Sequence, residues 1–276
     1  MARIRVVTDS ASDLPQEIAT RLDIDVVPLT IRFGDEEFTD LSPETFWAKC
    51  KVAKTLPETS APSPGAFQAT FERAKVAGFD GVIVLTLSSL LSATHQAAVL
   101  GAEAVAGQID VRVIDTLNVS MGQGLLVIDI AEAAADGADL DALVARTAEQ
   151  MRKAGVVATL DTLEHLIKGG RVGGAKALLG QVLAIKPLID VKGGVVAEAG
   201  RQRTRAKALA AVAKVAADHA PLRRFALIHG ACNDVAILQA LVKDIPTQFP
   251  IIVTDIGPVV GTHGGPGIIG LTWIEE

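Results

Sequence analysis

Cysteine is almost missing. The 276-residue chain has two, Cys50 and Cys232, and neither belongs to a CxxC pair or a Cys/His ligand cluster. That excludes a disulfide framework and a thiol-bound metal, and it fits buried free thiols in a reducing cytosol. Long apolar runs are missing too. Apolar residues make up 49% of the chain and mean hydropathy is +0.37. Yet no uncharged apolar stretch approaches the ~18 residues of a membrane span. No stable membrane insertion is expected. The opening MARIRVVTDS has no apolar segment ahead of a cleavage site, so a cytoplasmic protein is expected.

The usual catalytic signatures are absent as well. The five histidines (His95, His165, His219, His229, His263) form no HExxH or other close-spaced ligand set, so no metal is expected. Serines sit in LSSLLSA (87–93), not in a GxSxG elbow. GTHGGPG (261–267) lacks the GK[ST] of a phosphate loop. The net charge of −6 argues against general nucleic-acid binding. Charge is uneven, however. Residues 168–207 hold nine Lys/Arg, among them Lys168, Arg171 and Arg205, against Asp190 and Glu198; this local +7 leaves −13 on the remainder. A basic segment on an acidic protein suggests an anionic ligand or an acidic partner, or simply a solvated basic face.

What is present reads as a layered α/β chain. IRVVTDSASDLP reads as a buried strand, a polar loop and a helix start, with Ser12 or Asp13 as cap. DIDVVPLTIRF is a second strand, broken or at an edge because of Pro28. FDGVIVLTLSS and VRVIDT are strands, each followed by a helical stretch. This alternation predicts a parallel sheet covered on both faces. Residues 139–154 predict a helix with Leu140, Leu143, Val144, Thr147 and Met151 inward, ended by Gly155. Beyond it the texture changes. KPLIDVKGGVVAEAG predicts a hairpin, and helices then alternate with the strands RFALIHG and FPIIVTDIG. The expectation is two domains: a parallel α/β domain over 1–158 and a mixed sheet with helices over 159–276.

Three loops at strand ends, TDSASD (8–13), SSLLSATHQ (88–96) and DTLNVSMGQG (115–124), are rich in hydroxyls, as is ETSAPSPG (58–65). Such loops converge beyond the carboxyl ends of parallel strands, where ligands bind. Hydroxyls and free amides there can hold a carboxylate or phosphate without a cation. GPVVGTHGGPGIIG (257–270) packs six glycines around His263. Glycine is costly to order, so this stretch implies a tight turn or backbone that approaches something closely.

Seven motifs then fall in order: VVTDSASDLP, TSAPSPGAF, LSSLLSATHQAA, DTLNVSMGQGLLV, LEHLIKGGRVGG, VLAIKPLIDVKGG and GPVVGTHGGPGIIG. Together they resemble the DegV family of bacterial fatty-acid-binding proteins across nearly the whole chain. The resemblance implies a two-domain fold with a long-chain fatty acid in a tunnel between the domains. It implies no cofactor and no catalysis by this chain alone. The bound acid is instead presented to a separate fatty acid kinase for acyl-phosphate formation and phospholipid synthesis. It places Thr59, Ser60, Ser92 and His263 at the carboxylate, and Arg171 with His263 at the phosphoryl transfer. It also shows two departures: Ala93 stands where glycine is usual and His95 where tyrosine is usual, in a chain with no tyrosine at all. From the residues alone two other readings stay open. One is an enzyme for a small phosphorylated or keto substrate on the related dihydroxyacetone-kinase-like fold. The other is a lipid-sensing regulator.

Overall fold

The structure is a computed structural model that describes residues 2–178 and 185–276. Residues 182–184, which open the VLAIKPLIDVKGG motif, lie outside them. The first half contains β1 (Ile4–Asp9), α1 (Gln16–Arg21), β2 (Asp25–Val27), β3 (Thr30–Phe33), β4 (Glu36–Phe38), α2 (Pro43–Val52) and β5 (Glu58–Ser60). It continues with α3 (Pro64–Val76), β6 (Gly81–Thr86), α4 (Thr94–Ala104), β7 (Asp110–Asp115), α5 (Met121–Ala135) and α6 (Leu140–Met151). Four strands form the expected parallel sheet, in the order β2-β1-β6-β7. β6 shows why its sequence reads as an unbroken apolar run. Val82 and Val84 join a core with Phe67 and Phe71 of α3, while Ile83 and Leu85 join a second core with Leu125 and Leu126 of α5. Both faces are dry, so both alternating sets are apolar. Pro28 separates β2 from β3, and the two enter different sheets: β3 lies between β4 and β5 in a small antiparallel one.

The second half contains β8 (Ala154–Thr159), α7 (Glu164–Lys168), β9 (Lys186–Lys192), β10 (Val195–Gln202), α8 (Arg205–Ala217) and β11 (Leu222–His229). It ends with α9 (Val235–Val242), β12 (Ile252–Asp255), α10 (Pro258–Gly264) and β13 (Ile269–Glu275). Its six strands form a mixed sheet, β10-β9-β8-β13-β11-β12. The expected hairpin is there. β9 and β10 pair antiparallel through Gly193 and Gly194, whose φ values of 56° and 85° are what a two-residue turn of this hand requires.

Four local expectations change. A division after residue 158 cuts β8, a central strand of the second sheet, so sheet membership puts the division before Ala154. Gly155 does not end a helix. α6 closes at Arg152, and Gly155 sits in β8 where any Cβ would overlap the Trp273 indole. Ser12 and Asp13 do not cap α1, whose first turn follows Pro15 with no side-chain cap. The glycine-rich stretch at 258–264 is a helix, α10, with Pro258 in its first turn. Its glycines serve close approach: Gly261 lies against the rings of Phe46 and Trp47 with no room for a Cβ.

α5 joins the two halves. It is buried on nearly every side, because it packs on β1 and β6 of the first sheet and on β8, β11 and β13 of the second. A helix covered all round needs no polar face, which explains its apolar sequence. Its one buried acid, Asp129, receives three guanidiniums from α6 and β11. Arg146 Nε lies 2.7 Å away, Arg223 Nε 2.9 Å and Arg224 Nε 3.3 Å.

Candidate functional site

The two sheets meet around a cavity of about 210 Å3. Its body is apolar. Leu29, Leu87, Leu91 and Val119 line it from the first half, and Val156, Ile189, Val196 and Ile228 from the second. Polar side chains also reach it: Thr59 from β5, Ser92 from the loop after β6, Arg171 from the turn after α7, and His263 from α10.

Thr59 and His263 are bonded to each other, and Arg171 and Ser92 are each fixed by contacts of their own. His263 Nε2 lies 2.9 Å from Thr59 Oγ1. The other ring nitrogen, Nδ1, is buried without a partner among the described residues. It rests on Gly169, where a Cβ would overlap it. An orphaned buried N–H is rarer and costlier than an orphaned lone pair, so we assign the ring proton to Nε2. Nε2–H then donates to Thr59 Oγ1, and the threonine O–H is free to donate into the cavity. Burial, with the positive charge of Arg171 and a smaller effect of His165, pushes the His263 imidazole down to about 4. The ring is therefore neutral at pH 7. Two residues past Gly169, Arg171 donates from Nη1 to Gly169 O at 2.5 Å and from Nε to Leu91 O at 3.1 Å. The guanidinium is thus fixed across the seam between the halves, beside Ser92. Ser92 Oγ lies 2.9 Å from Thr94 Oγ1 and accepts Thr94 N–H at 3.3 Å, so the serine also holds the start of α4. Asp190 also lines the cavity, with its Oδ2 paired to Lys192 Nζ at 2.9 Å. With that acid already paired, the hydroxyls, the neutral imidazole and the guanidinium can receive an anionic head group attached to an apolar body.

A family model, "Uncharacterised protein, DegV family", matches residues 3–276. The chain belongs to the DegV family. It is 37% identical over 278 residues to a DegV domain-containing protein of Streptomyces coelicolor, covering 97% of each chain. Among solved structures it is similar to a fatty-acid-binding DegV family protein from Thermus thermophilus, with a TM-score of 0.91 and 34% identity, covering 99% of this chain and 100% of that one. It is likewise similar to DegV, a fatty acid binding protein from Bacillus subtilis, with a TM-score of 0.90 and 28% identity over all of both chains. The mixed α/β architecture expected from the motifs is the architecture of these DegV structures.

The motif residues of this DegV family chain do not all reach the cavity. Thr59, Ser92, Arg171 and His263 line it; Ser60 does not. β5 is a strand, so consecutive side chains face opposite ways. Thr59 turns inward and Ser60 is exposed. Ala93 lines the cavity at φ −75°, so the replacement of glycine there carries no strain. His95 points away from it, with Nδ1 3.2 Å from Thr86 Oγ1. Sequence reasoning missed the residues of the apolar wall. β8, β9 and β11 are buried on both faces, so their polarity does not alternate and no position advertises which face it joins. It also missed Ser120, which lines the cavity from the start of α5 at a φ of 56°. The hydroxyl-rich loop was visible in the sequence, but which of its hydroxyls turns inward was not.

Proposed function

We propose that this protein binds a long-chain fatty acid in the cavity between its two halves and presents the carboxylate to a separate fatty acid kinase. The observation that carries the reading is the bonded pair Thr59 and His263, with Arg171 and Ser92, on the wall of a mostly apolar cavity. The fatty acid binding of the Thermus thermophilus and Bacillus subtilis relatives supports it. Burying about 14 methylenes at ~0.8 kcal/mol each contributes on the order of 11 kcal/mol before ordering costs, so few polar contacts are needed. Thr59 and Ser92 hold the carboxylate through hydroxyls, with the His263 ring fixing the Thr59 donor. That leaves a carboxylate oxygen unburdened by a tight ion pair and able to attack a phosphoryl group. Ser60 takes no part in these contacts.

Arg171 serves the later moment. Phosphoryl transfer spreads charge over the equatorial oxygens, which a planar guanidinium stabilises. His263, with its Nε2–H given to Thr59 Oγ1, keeps the threonine O–H directed at the acyl-phosphate end. The chain acts as carrier and co-substrate; catalysis belongs to the kinase. Two experiments test this. Mass spectrometry of an organic extract of the purified protein is expected to show C14–C18 fatty acids, and protein that retains no lipid from any host overturns the reading. With ATP and a candidate kinase, Arg171→Ala is expected to keep fatty acid binding and lose acyl-phosphate formation. Phosphorylation at the wild-type rate removes the role assigned to Arg171.

A further inference from the structure

One buried acid near the cavity is not used by the site described. Asp13 follows the 3-10 turn after β1, in a left-handed conformation at φ 50°. Its Oδ2 accepts from Ser120 Oγ at 2.5 Å, and its Oδ1 accepts from Gly257 N at 2.9 Å. Ser120 begins α5 on the first half, and Gly257 immediately precedes α10 on the second. Asp13 therefore ties the cavity-lining Ser120 to the helix that carries His263. Gly257 makes this possible, because a Cβ there would lie 2.9 Å from Asp13 Oδ1.

The surroundings do not explain Asp13 as a source of stability. The charged groups facing it are Asp9 on its own segment and Asp255 at the end of β12, and both repel it. Asp9 is taken up by the N–H groups of Ala11 and Leu87 and by Gln123. Asp255 is 3.2 Å from His229 Nδ1. Burial, opposed by the bonds from Ser120 and Gly257 and reinforced by the two acids, raises the Asp13 carboxyl to about 7. A carboxyl whose charge is disfavoured by its own site lowers stability as it ionises. What it supplies is geometry.

We infer that Asp13 is a positioning residue: by gripping Gly257 N–H and Ser120 O–H it seats α10 against the first half and so sets the His263 ring on Thr59. Its consequence for ligand rests on the fatty acid reading above; its effect on the ring does not. The test combines two readouts on the full-length protein: the 15N resonances of the His263 imidazole, assigned with His263→Gln, and affinity for a dansyl-labelled undecanoic acid. Asp13→Ala is expected to move the His263 resonances toward those of an exposed imidazole and to weaken the probe about tenfold. Asp13→Asn is expected to restore both, because its amide oxygen accepts from Gly257 N–H and its NH2 donates to Ser120 Oγ. Where Asp13→Ala does not fold, Gly257→Ala serves, since its methyl displaces the carboxyl; the same resonance shift is expected. Unchanged His263 resonances in the folded variant, or Asp13→Asn behaving like Asp13→Ala, overturn the inference. Wild-type protein that does not bind the probe overturns the fatty acid reading instead, and the resonances still decide the role of Asp13.

Discussion

Two buried aspartates tie the halves of this molecule together along α5, and they do so in opposite ways. Asp129 receives Arg146, Arg223 and Arg224. Burial alone would raise its carboxyl, but the hydrogen bonds and charges of Arg146 and Arg223 hold it below the ordinary value. Asp13 receives only neutral donors and sits among other acids, so burial prevails and its carboxyl rises to about 7. The difference follows location. Asp129 lies away from the cavity, where a permanent ion cluster does no harm. Asp13 lies behind a cavity-lining hydroxyl, Ser120, and is held by that hydroxyl and a backbone amide. One seam is an ion cluster; the other is built on neutral donors, a hydroxyl and a backbone amide.

The comparison is broken most severely at the charged seam. Asp129→Ala takes a fully buried acid from the buried Arg224, which keeps Glu132, and from the partly exposed Arg146 and Arg223, and is expected to cost roughly 3–5 kcal/mol of stability, read by urea unfolding. A loss below ~1 kcal/mol would show that the cluster is not what joins the halves. The next largest effect concerns pH. Between about pH 4 and 7 native Asp13 keeps a proton that the unfolded chain has released, so its contribution falls as pH rises through about 7. Asp9 behaves likewise through about 6. His263 runs the other way: its contribution is present above pH 6.5 and is lost as pH falls toward 4. Asp129, held low, loses its contribution only below the ordinary carboxyl range. Asp13→Asn is therefore expected to gain more stability than wild type, or lose less, from pH 5 to 7.5, by on the order of 1–3 kcal/mol across the window. Calorimetric curves parallel to wild type would sink this assignment.

Smaller effects sharpen the neutral seam. Thr59→Val removes the hydroxyl that His263 orients while keeping the volume. Fatty acid affinity, measured by probe displacement, is expected to fall roughly tenfold, with Tm changed by only a few degrees. An unchanged affinity would move the carboxylate away from Thr59. Ser60→Ala, one position along the same strand but facing out, is expected to change stability by less than ~0.5 kcal/mol and leave affinity as it was. Equal losses at 59 and 60 would contradict the inward and outward assignment of β5.

By itself the sequence determined much of this protein. Local signals were enough for the apolar run of β6, the existence of a helix within residues 139–154, and the Gly193–Gly194 turn. Seven ordered motifs were enough for the family and for naming Thr59, Ser92, Arg171 and His263 together. The tertiary structure decided what no local pattern contains. Thr59 and His263 are 204 residues apart and share a hydrogen bond; Asp13 and Gly257 are 244 apart and do the same. Gly155 reads as a helix stop and is in fact the space beneath Trp273. Asp13 reads as a helix cap and is in fact a tie between halves. Propensity and periodicity report what a residue does to its own few neighbours. Whether a glycine is a stop or a gap, and whether a carboxylate is a cap or a clasp, depends on which distant atoms packing brings within 3 Å.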